Sequence, residues 1–129
     1  MKIISLGFIS LILSSALFAE DAMALIKNNG CLACHAVASK KAAPAFAGIG
    51  KRNKRFEGAN AKEVVMHSIK NGSKGKYPHF SGSEMPAFPN LSNEELSTIA
   101  EYILAQSSKA KNCQGHGRGQ GRGMMGGMR

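Results

Sequence analysis

The sequence predicts an all-α fold, and three observations carry that prediction. No segment alternates apolar and polar residues, with β-branched enrichment, for long enough to make a sheet. Three segments combine helical spacing of apolar residues with residues suited to helix ends. The part of the chain able to fold, residues 20–106, is small enough that a protein core alone is marginal and a staple is needed. Three to five short helices closed around such a staple are expected.

Taken in order, the chain opens with Met1-Lys2 and an apolar run from Ile3 to Leu13, broken by Ser5, Gly7 and Ser10. Small residues lead to Ala19, ahead of the acidic pair Glu20-Asp21. One positive charge, a short hydrophobic stretch and a small residue at its end make residues 1–19 a secretory signal peptide cleaved after Ala19. The run is short for a membrane span. A first helix is placed at residues 21–28, acidic at its start and closed by Asn29-Gly30. A middle helix begins at Asn60, where Glu63 completes a capping-box pattern, and ends at Asn71-Gly72, with Val64, Val65 and Ile69 on its apolar side. The last helix is the clearest. Ser92 is its cap, Glu95 returns the bond, Leu91 and Leu96 are spaced as a hydrophobic staple, and Leu96, Ile99, Ala100, Ile103 and Leu104 form its stripe. Two irregular stretches lie between, residues 40–58 with Pro44 and residues 72–90 with three prolines. Connectors of that length are usually functional or pinned by something they cover. Residues 107–129 contain no acidic, aromatic or β-branched residue, so this Gly-, Arg- and Met-rich tail is expected to be disordered.

The chemistry is carried by Gly30-Cys31-Leu32-Ala33-Cys34-His35. Two thiols at this spacing can each add across a vinyl group of a haem, and the imidazole directly after the second is then delivered to the iron. A thioredoxin-like redox pair or half of a zinc site also uses Cys-x-x-Cys, but neither needs the histidine. The chain offers neither a βαβ unit nor a second ligand pair at similar spacing. Cys31 and Cys34 are therefore read as attachment residues, His35 as the proximal iron ligand, and one covalent haem c as the staple. For the other face of the iron the best candidate is Met85, in Ser83-Glu84-Met85-Pro86, where Pro86 restrains the backbone. A methionine ligand raises the reduction potential. His67 and His79 are the rivals, and a bis-histidine iron would have a lower potential. Met23 and Met66 fall on helices and are read as packing residues.

On these residues the stretch 20–106 resembles the small monohaem class I cytochromes c of bacteria, which are periplasmic electron carriers with the cytochrome c fold. The resemblance rests on Cys31-Leu32-Ala33-Cys34-His35, Pro44, Ile69-Lys70-Asn71-Gly72-Ser73, Met85-Pro86 and the final helix. It implies that the Pro44 carbonyl accepts a hydrogen bond from His35 Nδ1 and orients the imidazole. It also implies that Tyr77 stands where the family often has a Trp donating to a haem propionate, and that Tyr102 and Ile26 join the last and first helices. Two departures stand out. The stretch from Tyr77 to Met85 is longer than in compact members, and Pro86 is followed by Ala87-Phe88-Pro89-Asn90 instead of directly by Pro-Asn, which makes Asn90 the candidate to bond the methionine sulfur. Ser68 occupies a position where a basic propionate partner is often found, with His67 beside it to compensate. The resemblance further implies a carrier with no catalytic residue, served by a quinol-oxidising complex as donor and a terminal oxidase or peroxidase as acceptor. A haem sensor or a metal-handling module is the alternative.

The chain carries 17 Lys and Arg against eight Asp and Glu, a formal net charge of +9. Much of the excess lies in the tail. Lys40, Lys41, Lys51, Arg52, Lys54 and Arg55 nevertheless cluster after the attachment motif, a patch suited to steering an acidic redox partner. Export makes nucleic-acid binding a poor fit. In the tail, Cys113, His116, Met124, Met125 and Met128 are soft ligands that suit copper, and Cys113 is an odd thiol able to link two chains.

Overall fold

Four α-helices are built over the described residues, which are 14–110 of a computed structural model, with side chains from residue 18. They are α1 (Ser14–Asn28), α2 (Phe46–Glu57), α3 (Ala61–Asn71) and α4 (Asn93–Ala105). Short 3-10 turns occupy Cys31–Ala33, Gly58–Asn60, Pro78–Phe80 and Gln106–Lys109. A minimal antiparallel ladder pairs β1 (Ser73–Lys74) with β2 (Glu84–Met85), Ser73 opposite Met85 and Lys74 opposite Glu84. Most of the predicted leader, and the segment with Cys113, His116, Met124, Met125 and Met128, lie outside the described residues.

α1 starts earlier than the expected residues 21–28, because Ala16, Leu17 and Ala19 are helix formers and residues 14–20 contain no Gly or Pro. Its end is as expected. Asn29 donates from both its backbone N and its Nδ2 to the Leu25 carbonyl, at 3.1 and 2.8 Å, and Gly30, at φ 71°, turns the chain into the attachment motif.

The stretch 40–58 corrects an expectation: most of it is α2, not irregular chain. The helix was hidden because its start has no side-chain cap at Ala45. Backbone carbonyls do the capping instead: Phe46 N donates to Ala36 O and Ala47 N to Val37 O, both at 2.9 Å. Lys51, Arg52, Lys54 and Arg55 therefore sit on a helix. α3 corrects a detail as well. The 3-10 turn Gly58–Asn60 runs straight into it, Asn60 keeps a helical backbone, and its side chain makes no cap bond, so the Asn60/Glu63 box does not form. α4 shows the predicted box in full, with Glu95 N donating to Ser92 Oγ at 3.1 Å and Ser92 N to Glu95 Oε2 at 2.8 Å.

The core draws on all four helices: Ile26 from α1, Phe46 from α2, Val65 and Ile69 from α3, and Leu96, Ile99, Ala100 and Ile103 from α4. Each of these side chains except Ala100 contributes about 1.5–3 kcal/mol by leaving water. α4 is the plate against which α1, α2 and α3 pack. Lys62 on α3 is ion-paired with Glu101 on α4, and Tyr102 packs edge-on against Phe46, with its ring centroid 6.4 Å away. The closest crossing is at Gly50 of α2, where a Cβ would lie 2.5 Å from the Ile103 carbonyl oxygen. Gly50→Ala must therefore push α2 from α4, and chemical denaturation is expected to show a loss of about 1–3 kcal/mol.

Candidate functional site

A cavity of about 380 Å³ gathers, in one lining, Cys31, Cys34, His35, Pro44, Tyr77 and Met85. Its walls are largely aliphatic, with Val65, Ile69, Ile99 and Ile103 among them.

One wall is built by the chain between the motif and α2. Ala43 N donates to Cys34 O at 3.0 Å, and the two capping bonds to Ala36 and Val37 draw the start of α2 back over the motif. This fold brings the Pro44 carbonyl to 2.7 Å from His35 Nδ1. A carbonyl only accepts, so Nδ1 carries the proton and Nε2 is left with its lone pair. The imidazole is buried, at 8% exposure, and stacks on Phe46 with centroids 5.3 Å apart and planes 21° apart. Cys34 is exposed while Cys31 is half-buried, and burial pushes the Cys31 thiol above its ordinary value, opposed by a backbone hydrogen bond.

A second wall carries Met85. The β1–β2 ladder sets Met85 against Ser73, Phe88 N donates to Ile69 O at 3.0 Å, and Lys74 Nζ lies 3.5 Å from Glu84 Oε2. Gly72, at φ 77°, lets the chains touch, since a Cβ there would be 2.7 Å from the Met85 carbonyl oxygen. Ser83 Oγ donates to Ala42 O at 3.3 Å and ties this loop to the one before α2.

A group of polar side chains borders the cavity at Tyr77. Asn53, 1% exposed, donates from Nδ2 to Ile49 O at 2.8 Å and to the Tyr77 hydroxyl at 3.3 Å, so the hydroxyl proton remains to be donated elsewhere. The Asn53 Oδ1 is buried without a partner. The Arg52 guanidinium lies 5.1 Å from the centre of the Tyr77 ring. Burial raises the Tyr77 hydroxyl above its ordinary value, against the lowering effects of the Asn53 bond and Arg52. Lys76 Nζ donates to Ser68 Oγ at 3.3 Å, and that hydroxyl passes its own proton to Val64 O at 2.8 Å. Partial burial and then Arg52 lower the Lys76 ammonium, with Glu57 opposing.

One expectation is corrected here. The cation beside Ser68 is Lys76; His67 is exposed on α3 and outside the cavity lining. Asn90, in a turn, and His79 are exposed and are also outside the lining. Lys76 and Asn53, which line the cavity, and Arg52, which stacks on Tyr77, were missed. Lys76 meets Ser68 only through the loop after α3, and Asn53 carried one legible signal, an amide on a helix otherwise charged at that end. Among the described residues no group of three or more His, Cys, Asp or Glu side chains is placed to hold a metal ion.

Residues 19–107 match the profile of the cytochrome c family. The chain belongs to that family. It is 36% identical over 97 residues to cytochrome c-551 of Pseudomonas aeruginosa, an alignment covering 74% of this chain and 86% of the relative. It is 31% identical over 94 residues to cytochrome c-552 of Hydrogenobacter thermophilus, covering 72% and 87%. The crystal structure of wild-type Nitrosomonas europaea cytochrome c552 superposes with a TM-score of 0.57 at 30% identity, over 65% of this chain and 98% of that one. As a cytochrome c, this chain carries one covalently attached haem with its iron, and it is a haem-based electron carrier with redox partners. The residues present fit that group: aliphatic walls for a flat ring, two thiols for its vinyl groups, and a border of donors and cations for its carboxylates. Among the described residues no helix is long and apolar enough to cross a membrane.

If the Asn53 to Tyr77 bond shapes this border, the two residues act as a unit. Asn53→Ala is expected to cost about 1–2 kcal/mol in denaturant unfolding. Tyr77→Phe added to it should cost less than Tyr77→Phe alone, a coupling of about 0.5–1 kcal/mol in a double-mutant cycle.

Proposed function

We propose that this cytochrome c is a periplasmic one-electron carrier whose iron is held by His35 on one side and Met85 on the other, with the haem joined to Cys31 and Cys34. The observation that carries the reading is that His35 and Met85 line the same cavity from separately anchored segments. When bound, the haem supplies an iron that cycles between ferrous and ferric states. The chain does the rest. Pro44 holds the His35 tautomer and makes Nε2 a better donor to a metal, Phe46 fixes the ring plane, and the ladder with Ser73 holds the Met85 backbone. The thioether and the largely apolar walls both favour a high potential. Tyr77, Lys76 and Arg52 are the donors for the propionate carboxylates. Export rests on the leader 1–19, cleaved after Ala19, with residues 20–106 as the carrier domain. Its partners are a quinol-oxidising complex as donor and a terminal oxidase or peroxidase as acceptor, and no step of its own requires a catalytic residue.

The ligand assignment is tested by spectroscopy. Oxidised Met85→Ala is expected to keep its covalent haem but lose completely the weak methionine-to-iron charge-transfer band at the red end of the spectrum; a surviving band moves the ligand elsewhere. Gly72→Ala, which forces a side chain against the Met85 carbonyl at a left-handed position, should weaken the band and cost about 1 kcal/mol or more.

A second role is proposed for the tail from its soft ligands Cys113, His116, Met124, Met125 and Met128, which suit copper. A chain ending at Ala110 should lose the copper affinity that the full chain shows in calorimetric titration. Equal affinity contradicts this role.

A further inference from the structure

The outward arc of α2 carries four cations and one aromatic ring. At 100° per residue, positions 54, 51, 55, 52 and 56 follow one another over about 200° of the helix circumference, while Gly50 and Asn53 face inward. Lys51, Lys54 and Arg55 are exposed and Arg52 is half-buried. Among the described residues no carboxylate lies within ion-pair distance of Arg52, Lys54 or Arg55. Lys54 Nζ instead donates to Ser107 Oγ at 2.9 Å, which joins α2 to the 3-10 turn Gln106–Lys109. The chain then continues from Ala110 into a segment with Lys111, Arg118, Arg122 and Arg129 and no acid.

Within this arc stands Phe56, 65% exposed. The guanidinium carbons of Arg52 and Arg55 lie 5.4 and 5.3 Å from its ring centre. An exposed ring flanked by two guanidiniums is a platform: it orders two otherwise flexible arginines while their N–H groups stay available for paired carboxylates. One ring already occupied by two cations offers little apolar area to a lipid surface, which is gripped through larger apolar faces. Carboxylate-bearing protein fits this chemistry better.

We infer that the α2 face formed by Lys51, Arg52, Lys54, Arg55 and Phe56 is a docking surface for an acidic protein segment that presents paired carboxylates. Arg52 belongs to this face and also lies over Tyr77, which lines the haem cavity. A partner seated here is therefore next to the cavity. That the partner is a redox protein rests on the electron-carrier reading; the surface itself does not.

The test is an NMR titration of the reduced, haem-loaded full chain at low salt with an end-blocked octaglutamate peptide, and in parallel with phosphatidylcholine–phosphatidylglycerol vesicles. Amide shifts should concentrate in residues 51–57 and 106–110. Arg55→Gln and Phe56→Ala should each weaken peptide binding about threefold, Arg55→Lys should weaken it measurably despite keeping its charge, and Lys40→Gln should change it by less than about 1.5-fold. The inference is overturned by no binding, by shifts spread evenly over the exposed lysines, by equal effects of Arg55→Gln and Lys40→Gln, or by binding to vesicles and not to peptide. None of those outcomes touches the methionine charge-transfer band, so the failure of this surface and the failure of the carrier reading are separable.

Discussion

The hydrogen bond between His35 Nδ1 and the Pro44 carbonyl is the constraint on which the rest of the site depends. It is short, it is buried, and it joins the attachment motif to the residue pair that launches α2. Leaving either group unpaired there would cost about 1–3 kcal/mol. The same backbone excursion satisfies the first N–H groups of α2 through Ala36 and Val37 and places Phe46 flat against the imidazole. One loop thus sets the tautomer of a histidine, starts a helix and fixes a ring plane. None of the three is independent of the others.

The Met85 side is anchored separately, through the end of α3. Gly72 admits the Met85 backbone, the ladder sets its register, and Ile69 O takes the Phe88 amide. Between the two anchors lies a cavity whose aliphatic walls are also core residues, since Val65, Ile69, Ile99 and Ile103 belong to both. A ring seated there would cover those side chains and remove them from water, so the haem completes the core that the four helices begin.

Much of this was legible in the residues. Cys31, Cys34 and His35 announce the group, and α4 announces itself through Ser92, Glu95 and a regular apolar stripe, because local chemistry decides both. The whole of α2 was missed for a physical reason: its cap is made by backbone carbonyls ten residues upstream, and a stretch containing Pro44, Gly48 and Gly50 has the composition of a connector. The cap expected at Asn60 failed because a 3-10 turn had already supplied a helical backbone there. Lys76 was out of reach since its partner Ser68 is brought near by the turn at Gly72, and Gly50 showed its purpose only when α4 was seen against it. Position along the chain predicts groups that act locally. It does not predict which loop returns to which helix.

The central claim is that one cavity holds the iron between His35, fixed by Pro44, and Met85. It is tested most directly by the proton NMR spectrum of the reduced, full-length, haem-loaded protein. The account predicts a methionine methyl resonance displaced far upfield by the ring and assigned to Met85, together with a His35 Nδ1 proton protected from exchange by its bond to Pro44. A spectrum without such a methyl, or with the signal assigned to Met23 or Met66, or with an imidazole of His67 or His79 bound to the iron, contradicts it.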